Sequence, residues 1–98
     1  MKWIVRPEVA DELAAAAIWY RDISPSLGEA LFAEYEAAIA RVQDYPRSYP
    51  VVYPAKGVRR AVLRRFPYGL FYRLSEQEGI IFALRHCAQH PRGWQRRS

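Results

Sequence analysis

Cysteine and lysine are scarce in this sequence, and long apolar runs are missing. The lone Cys87 among 98 residues cannot form an internal disulfide and has no second thiolate with which to hold a metal, so we expect a buried structural thiol. No stretch approaches the roughly 20 consecutive apolar residues of a membrane span, and the N-terminal residues lack the apolar core of a signal peptide. These absences predict a cytoplasmic protein that does not enter a membrane.

Familiar catalytic and phosphate-binding patterns are absent as well. The five glycines form no phosphate-binding loop, and the serines lie in turns or at the terminus, without a nucleophile elbow. His86 and His90 are the only histidines, and with Cys87 they form a cluster that lacks a fourth metal ligand. We therefore expect neither a metal nor a cofactor.

The composition is that of a folded protein. Hydrophobic residues make up 51% and aromatic residues 14% of the sequence, far from the aromatic-poor composition of disordered chains. The length suits one compact core and is too short for two. We expect a single domain over residues 1–98.

The two halves of the sequence differ in charge. Residues 1–50 contain 5 Lys and Arg against 8 Asp and Glu, whereas residues 51–98 contain 10 against 2. Thirteen of the 15 basic residues are Arg, whose planar guanidinium suits phosphate and carboxylate better than the Lys ammonium does. The C-terminal half is therefore expected to contact a polyanion, either nucleic acid or an acidic polypeptide. The alternative is a solvated surface that favours Arg.

The N-terminal half predicts two helices. Apolar residues recur at helical spacing from Pro7, which suits the first helical turn, to about Arg21. Ser26 and Glu29 have the spacing of a capping box, and the second helix must end before Pro46. The two helices should form an antiparallel hairpin. Four aromatic residues on them are expected in the core or facing a partner, rather than in a cofactor site: Trp19, Tyr20, Phe32 and Tyr35.

Strands are predicted at both ends of the sequence. A short β-prone run over residues 3–5 precedes the helices. After the hairpin comes a long loop rich in Pro and Tyr, with little regular structure. Three β-prone runs then follow, over residues 58–66, 70–75 and 80–87, and the turn residues between them predict consecutive antiparallel strands.

Arginines line the first of these three strands. Alternation would place Arg60, Val62, Arg64 and Phe66 on one face and Arg59, Ala61, Leu63 and Arg65 on the other. Arg73 and Arg85 lie within apolar runs, where a charge must be paired or open onto a cleft. In the tail, Trp94 either stacks on a base or folds back onto the sheet. The residues expected to bind the target are Arg59, Arg60, Arg64, Arg65, Arg73, Arg85, His86, Arg92, Trp94 and Arg96.

His86 has two interpretations that the sequence leaves open. It can act as a general acid or base, or it can be a structural residue bonded to the backbone at the end of its strand. For His90 the structural interpretation is favoured.

The order of these elements, together with the string RRAVLRRFPYGLFYR over residues 59–73, resembles the RelE/ParE toxin family. The segments IIFALRH, over residues 80–86, and PRGWQRR, over residues 91–97, are similar to that family's last strand and tail, and Pro7 opens the first helix in the same way. The resemblance implies an α+β fold, in which an N-terminal strand is followed by an antiparallel helical hairpin packed on a small twisted antiparallel sheet. It also implies a cognate antitoxin that wraps the toxin with a segment disordered until it binds.

The family resemblance implies two possible targets, DNA gyrase or mRNA in the ribosomal A site. Ribosome-dependent members resemble one another in lysines before the first of the three strands and in a Tyr or His-Tyr near the end of the last, where this sequence has Lys56 and Arg85-His86-Cys87. The resemblance is nearer the ParE-like branch, so gyrase is the expected target. The alternatives are an mRNA endonuclease, with Arg65, Arg85 and His86 as catalytic candidates, and a non-toxic nucleic-acid-binding module. We expect the antitoxin and the target to compete for residues 58–97.

Overall fold

A computed structural model describes residues 1–88 of the chain. The predictions for His90, Arg92, Trp94 and Arg96 lie outside the described residues. The elements, in chain order, are β1 (Lys2–Val5), α1 (Pro7–Ile23), α2 (Pro25–Asp44), β2 (Val51–Tyr53), a 3-10 turn (Pro54–Lys56), β3 (Val58–Val62), β4 (Tyr68–Leu74) and β5 (Glu78–His86). The expected order of strand, helical hairpin and three further strands is confirmed.

The five strands form one mixed sheet in the order β1-β5-β4-β3-β2. The pairs β2–β3, β3–β4 and β4–β5 are antiparallel, as their short connections require. In contrast, β1 is parallel to β5, with Val5 opposite Ile81. The α+β class is thus confirmed, and the sheet differs from a purely antiparallel one only at the edge where β1 lies.

The helical hairpin covers one face of the sheet. Buried residues of α1 and α2 meet buried residues of β3, β4 and β5 in the main core, among them Val9, Leu31, Val42, Leu70, Tyr72 and Ile81. A second, smaller cluster on the other face contains Val58, Phe71, Phe82 and Ala83. Neither helix in the described part of the chain is long and apolar enough to cross a membrane.

The junction between the helices differs from the predicted capping box. Helix α2 begins at Pro25, one residue before Ser26, and Ser24 is its N-cap residue without a side-chain capping bond. The Ser24 and Ser26 hydroxyl oxygens lie 3.0 Å apart instead. The capping-box prediction is therefore wrong, because Pro25 fits the first helical position and starts the helix earlier.

The loop after α2 is more regular than expected, since it contains β2 and the 3-10 turn. Its first part is held by side chains of the sheet. Arg59 Nη1 donates to the carbonyls of Tyr49, at 2.6 Å, and Arg47, at 3.1 Å. The Tyr72 hydroxyl donates to the Pro46 carbonyl at 2.6 Å. Burial, chiefly, raises the pKa of Tyr72 to about 12, with nearby Arg59 opposing the rise.

Strand β3 ends at Val62, four residues before the predicted boundary. Beyond it the chain is no longer a strand, and Arg65 has φ of 71°. Phe66 is therefore buried in the main core with Ala61 and Leu63, not on the face of Arg60. The predicted face assignment is wrong for Phe66, because alternation holds only while the backbone stays extended.

Candidate target-binding surface

Two arginines stand at the tip of the turn between β3 and β4. Arg64 and Arg65 are both exposed, whereas the next residue, Phe66, is buried. The Phe66 ring meets Tyr20 of α1 edge-on, with centroids 4.9 Å apart. The Leu63 amide donates to the Tyr68 carbonyl at 2.8 Å and closes the turn. The turn is thus anchored in the core while its two arginines are exposed to solvent.

Arg65 combines an unusual backbone with a ring contact. A φ of 71° lies in the left-handed region, which costs a residue with a Cβ about 1–2 kcal/mol. The guanidinium carbon lies 5.8 Å from the centroid of the Phe66 ring, within the range of a weak cation–π attraction. A strained conformation at an exposed arginine is more common at functional positions than elsewhere.

His86 lies beside this turn. It is opposite Tyr68 in the β4–β5 register, with ring centroids 5.3 Å apart, and the Cys87 amide donates to the Pro67 carbonyl at 2.7 Å. His86 Nδ1 accepts the Ala88 amide at 3.1 Å. The neutral imidazole therefore carries its proton on Nε2. His86 thus makes a hydrogen bond to the backbone at the end of its strand.

Arg85 belongs to an internal ion pair. Its Nε lies 2.8 Å from Glu12 Oε2 of α1, and both side chains are about four-fifths buried. Glu12 Oε1 also accepts the Leu84 amide at 3.1 Å. Strand β1 pairs with β5 only as far as Ile81, so Glu12 serves as an acceptor where β5 continues beyond its neighbour. The prediction that Arg85 must be paired or face a cleft is confirmed, and its charge is compensated within the fold.

A cleft opens next to the ion pair, between α1 and the end of β5. Its volume is about 430 Å³, and its walls include Trp19, Tyr68 and Arg85. Trp19 is 67% exposed. Burial, followed by the influence of Tyr20, raises the pKa of the Tyr68 phenol. The cleft is therefore lined by two aromatic side chains and by the ion pair of Glu12 and Arg85.

Arg60 and Arg73 lie on the face of the sheet opposite the helices. The Arg60 side chain crosses Gly69, where an added Cβ would lie 2.9 Å from Arg60 Cγ, and Gly69 is opposite Arg85 in the register. Arg60 thus extends toward the end of the sheet that carries the turn. Arg73 is opposite Ile80, toward the other end. In both arginines Nε is buried without a hydrogen-bond partner among residues 1–88.

The structure brings only some of the predicted site residues together. Arg64, Arg65, Arg85 and His86 share one end of the sheet, which we call the arginine end, and Arg60 reaches toward it. Arg59 is occupied with loop carbonyls on the helix side. No Asp or Glu occurs between residues 51 and 75, so the turn has no acidic sequence neighbour.

Cys87 contradicts the prediction of a buried structural thiol. It is exposed, because β5 ends at His86 and Cys87 lies beyond the strand.

Comparison with known proteins decides the family. Residues 4–91 match the family model described as the ParE toxin of the type II toxin-antitoxin system parDE. The chain belongs to the ParE toxin family. Among solved structures, the fold of this ParE-family chain is similar to one titled "Chromosomal ParDE TA system from P. aeruginosa", with a TM-score of 0.65 and 20% identity over 88% of this chain and 95% of that one. No protein with a curated function matches the sequence.

The sequence did not reveal the role of Glu12 near the arginine end of this ParE-family protein. Glu12 is one of several acidic residues near the start of α1, and only the packing of α1 against β5 shows that it pairs with Arg85. Trp19, expected in the core or facing a partner, lies outside the core. Its place one residue beyond Ile18, which is also exposed, was a weak sequence signal for an apolar outer surface.

Proposed function

We propose that this ParE-family protein inhibits DNA gyrase in the cytoplasm, that it does so through the arginine end, and that a cognate antitoxin neutralises it. The observation that carries the proposal is the turn between β3 and β4. It presents Arg64 and Arg65 outward while Phe66 fixes its base in the core. Two exposed guanidinium groups on an anchored turn suit carboxylates or phosphates, which such groups bind in a bidentate manner.

The geometry supports a binding role better than nuclease chemistry. RNA cleavage by 2′-hydroxyl attack needs a base, an acid for the leaving oxygen and cations for the phosphate. His86 uses Nδ1 to accept the Ala88 amide, and Arg85 is compensated by Glu12. Of the three candidate nuclease residues, Arg65 is the one whose charge faces outward. A surface of this kind can block an enzyme by binding it without catalysing a reaction.

Growth measurements test the toxic activity. The gene would be induced alone and together with the adjacent reading frame, with soluble expression confirmed by immunoblot. We expect growth arrest in the first case and growth in the second. Normal growth under both conditions would refute the toxin assignment and favour a non-toxic nucleic-acid-binding module, for which affinity should fall steeply with salt.

A matched pair of variants tests the surface. Arg64→Ala combined with Arg65→Ala should raise the inducer concentration needed for arrest by about tenfold or more, as expected when central contacts are lost. Arg47→Ala is the control, since Arg47 is also exposed but lies beside Leu74, Ser75 and Glu76, at the opposite end of the sheet. Equal effects of the two changes would contradict the assignment to the arginine end.

The target is decided by two assays on the same induced cells and purified protein. Gyrase inhibition predicts loss of DNA supercoiling by purified gyrase and induction of the DNA-damage response. The second candidate function is ribosome-dependent cleavage of mRNA, which the position of His86 and the arginines at one end of the sheet supports. It predicts cuts in translated mRNA by primer extension, and such cuts without a supercoiling defect would overturn the gyrase proposal.

A further inference from the structure

The cleft between α1 and the end of β5 has an open aromatic wall. Its volume of about 430 Å³ is within the range of about 300–1,000 Å³ that small-molecule sites occupy. Trp19 forms this wall and is largely exposed. Ala15 and Ala16, one turn earlier on α1, also line the cleft, since residues three and four positions apart lie on the same side of a helix. Their small side chains leave room beside the indole, so a flat ring can enter there.

The sheet side of the cleft combines an aromatic ring with a charged pair. Tyr68 of β4 and Leu84 of β5 line it. Arg85 Nε lies 2.8 Å from Glu12 Oε2, and both residues belong to the walls of the cleft. The guanidinium group has two further nitrogens, whose N–H groups suit the acceptor atoms on the edge of a nucleobase. The cleft therefore offers what an unpaired base requires, namely a ring on which to stack and a donor for its edge.

A row of aromatic rings connects this cleft to the turn that carries Arg64 and Arg65. Tyr68 meets Tyr20 edge-on, with ring centroids 6.3 Å apart, and Tyr20 meets Phe66 in the same manner at 4.9 Å. The Arg65 guanidinium carbon lies 5.8 Å from the centroid of the Phe66 ring. The stacking site and the exposed cations are thus neighbours at the arginine end. A strand with one base in the cleft would have its adjacent phosphates close to the turn.

The charges around the cleft distinguish between possible ligands. A cationic side chain of a partner protein would also stack on Trp19, but Arg85 and the two arginines of the turn would repel it. A phosphodiester strand is instead attracted by these arginines. Glu12 is paired with Arg85, so the two together bring no net charge to the cleft. The electrostatics therefore favour a nucleic acid over a basic peptide.

We propose that this cleft binds an unpaired base of a DNA strand, stacked on Trp19 and facing Arg85, while Arg64 and Arg65 contact the flanking phosphates. The inference rests on the proposed function, because gyrase is an enzyme that holds DNA, and it gives the toxin a direct contact with that DNA. An intact duplex fits less well, since its bases are stacked on one another and must be unstacked before a side chain can reach their faces.

Fluorescence anisotropy tests the cleft, with the purified full-length chain and a labelled DNA strand of about 12 nucleotides that cannot fold on itself. Trp19→Ala should weaken binding by about fivefold or more, the usual effect of losing one stacked base, whereas Trp19→Phe should stay within about threefold of the wild type. Tyr45→Ala is the matched control, because Tyr45 is 68% exposed but lies at the end of α2, outside the cleft. Since no base stacks there, the control should change the affinity by less than about twofold. Circular dichroism melting would confirm that all variants fold.

The phosphate contacts are tested by the salt dependence of binding. Arg64→Ala combined with Arg65→Ala should weaken binding and lower the steepness of log affinity against log salt by about 1.4, because two phosphate contacts of a single strand are lost. Trp19→Ala should leave this slope unchanged, since stacking releases no counterions. An equal loss of slope in both variants would contradict the separate roles of the cleft and the turn.

A photochemical crosslink locates the base. A strand that carries 5-iododeoxyuridine, irradiated in the complex, should couple to the aromatic residue on which the modified base stacks. Peptide mass spectrometry should find the adduct at Trp19. Adducts confined to another aromatic residue would place the base elsewhere and overturn the proposal.

The remaining outcomes separate this inference from the proposed function. If the wild type does not bind the strand but still inhibits DNA supercoiling by gyrase, the cleft proposal is overturned and the proposed function stands. Strand binding that depends on Trp19, without inhibition of gyrase, would support the cleft and refute gyrase as the target. An RNA strand of the same sequence, or a DNA duplex, bound about tenfold more tightly than the DNA single strand would overturn the assignment to unpaired DNA.

Discussion

The indole of Trp3 in β1 occupies the space above Gly79 in β5, so that a Cβ added to Gly79 would overlap the indole ring. The two residues are opposite each other in the parallel β1–β5 pair. Trp3 also approaches Tyr72, with ring centroids 6.2 Å apart. The contact joins the edge strand to the main core, and it depends on the absence of a side chain at position 79.

Gly79→Ala should therefore destabilise the protein, by about 2 kcal/mol or more, because the Trp3 ring must move out of a packed position. Urea unfolding monitored by circular dichroism measures the change. Combining it with Trp3→Leu should cost less than the sum of the two single changes, since the smaller side chain makes room for the methyl group. Strictly additive losses would show that the two residues do not compete for that space.

Glu12 is expected to be the most important acidic residue for stability. Glu12→Ala leaves Arg85 without its partner and the Leu84 amide without an acceptor, and the loss should be about 2 kcal/mol. Glu12→Gln keeps an acceptor for the amide but not the charge, so its loss should be smaller. Denaturant titration distinguishes the two, and a Glu12→Ala variant within about 0.5 kcal/mol of wild type would contradict the structural role.

The Arg65→Gly variant tests the effect of Arg65 on toxicity separately from its effect on the stability of the fold. Glycine adopts the φ of 71° found at this position without steric cost, so the change should leave stability unaltered or raise it by up to about 1 kcal/mol. It also removes the exposed guanidinium group, and toxicity should fall. Thermal melting and growth after induction are the two measurements. Full toxicity in a stable Arg65→Gly variant would remove Arg65 from the proposed surface.

Tyr72 should make the fold sensitive to alkali. Its pKa is raised to about 12 from the ordinary value of about 10, so the folded state holds the phenol proton more tightly than the unfolded state does. The associated stability is complete below about pH 10 and is lost as pH rises toward 12, on the order of 2–3 kcal/mol in full. Tyr72→Phe lacks this dependence and loses about 1 kcal/mol with the bond to Pro46.

To test this, urea unfolding of the wild type and of Tyr72→Phe is measured at about pH 9 and at about pH 11.5. The difference between their urea midpoints should shrink or reverse at the higher pH. Tyr35 and Tyr68 also have raised pKa values. Because the wild type and Tyr72→Phe both contain these two residues, their titration affects both proteins alike. An unchanged difference would show that the Tyr72 phenol does not titrate with unfolding.

Local patterns in the sequence predicted the helices and the three consecutive strands, and the sequence places most arginines in the C-terminal half of the chain. Helical spacing from Pro7 and β-prone runs separated by turn residues depend on near neighbours, so they can be read from the sequence. The same patterns, with the family resemblance, led to a ParE-like toxin, which the family match confirms. Local reading was wrong where one residue altered the backbone, as at Pro25 and at Arg65.

Tertiary structure decided which arginines face outward. Nothing in the order of residues indicates that Glu12 meets Arg85, 73 positions later, or that Arg59 is bound by the carbonyls of Tyr49 and Arg47. These pairings arise because the hairpin folds over the sheet and brings distant carboxylate and carbonyl oxygens to particular guanidinium groups. The sequence alone supplied the positive charge of the C-terminal half, and the fold determined where that charge remains available to a partner.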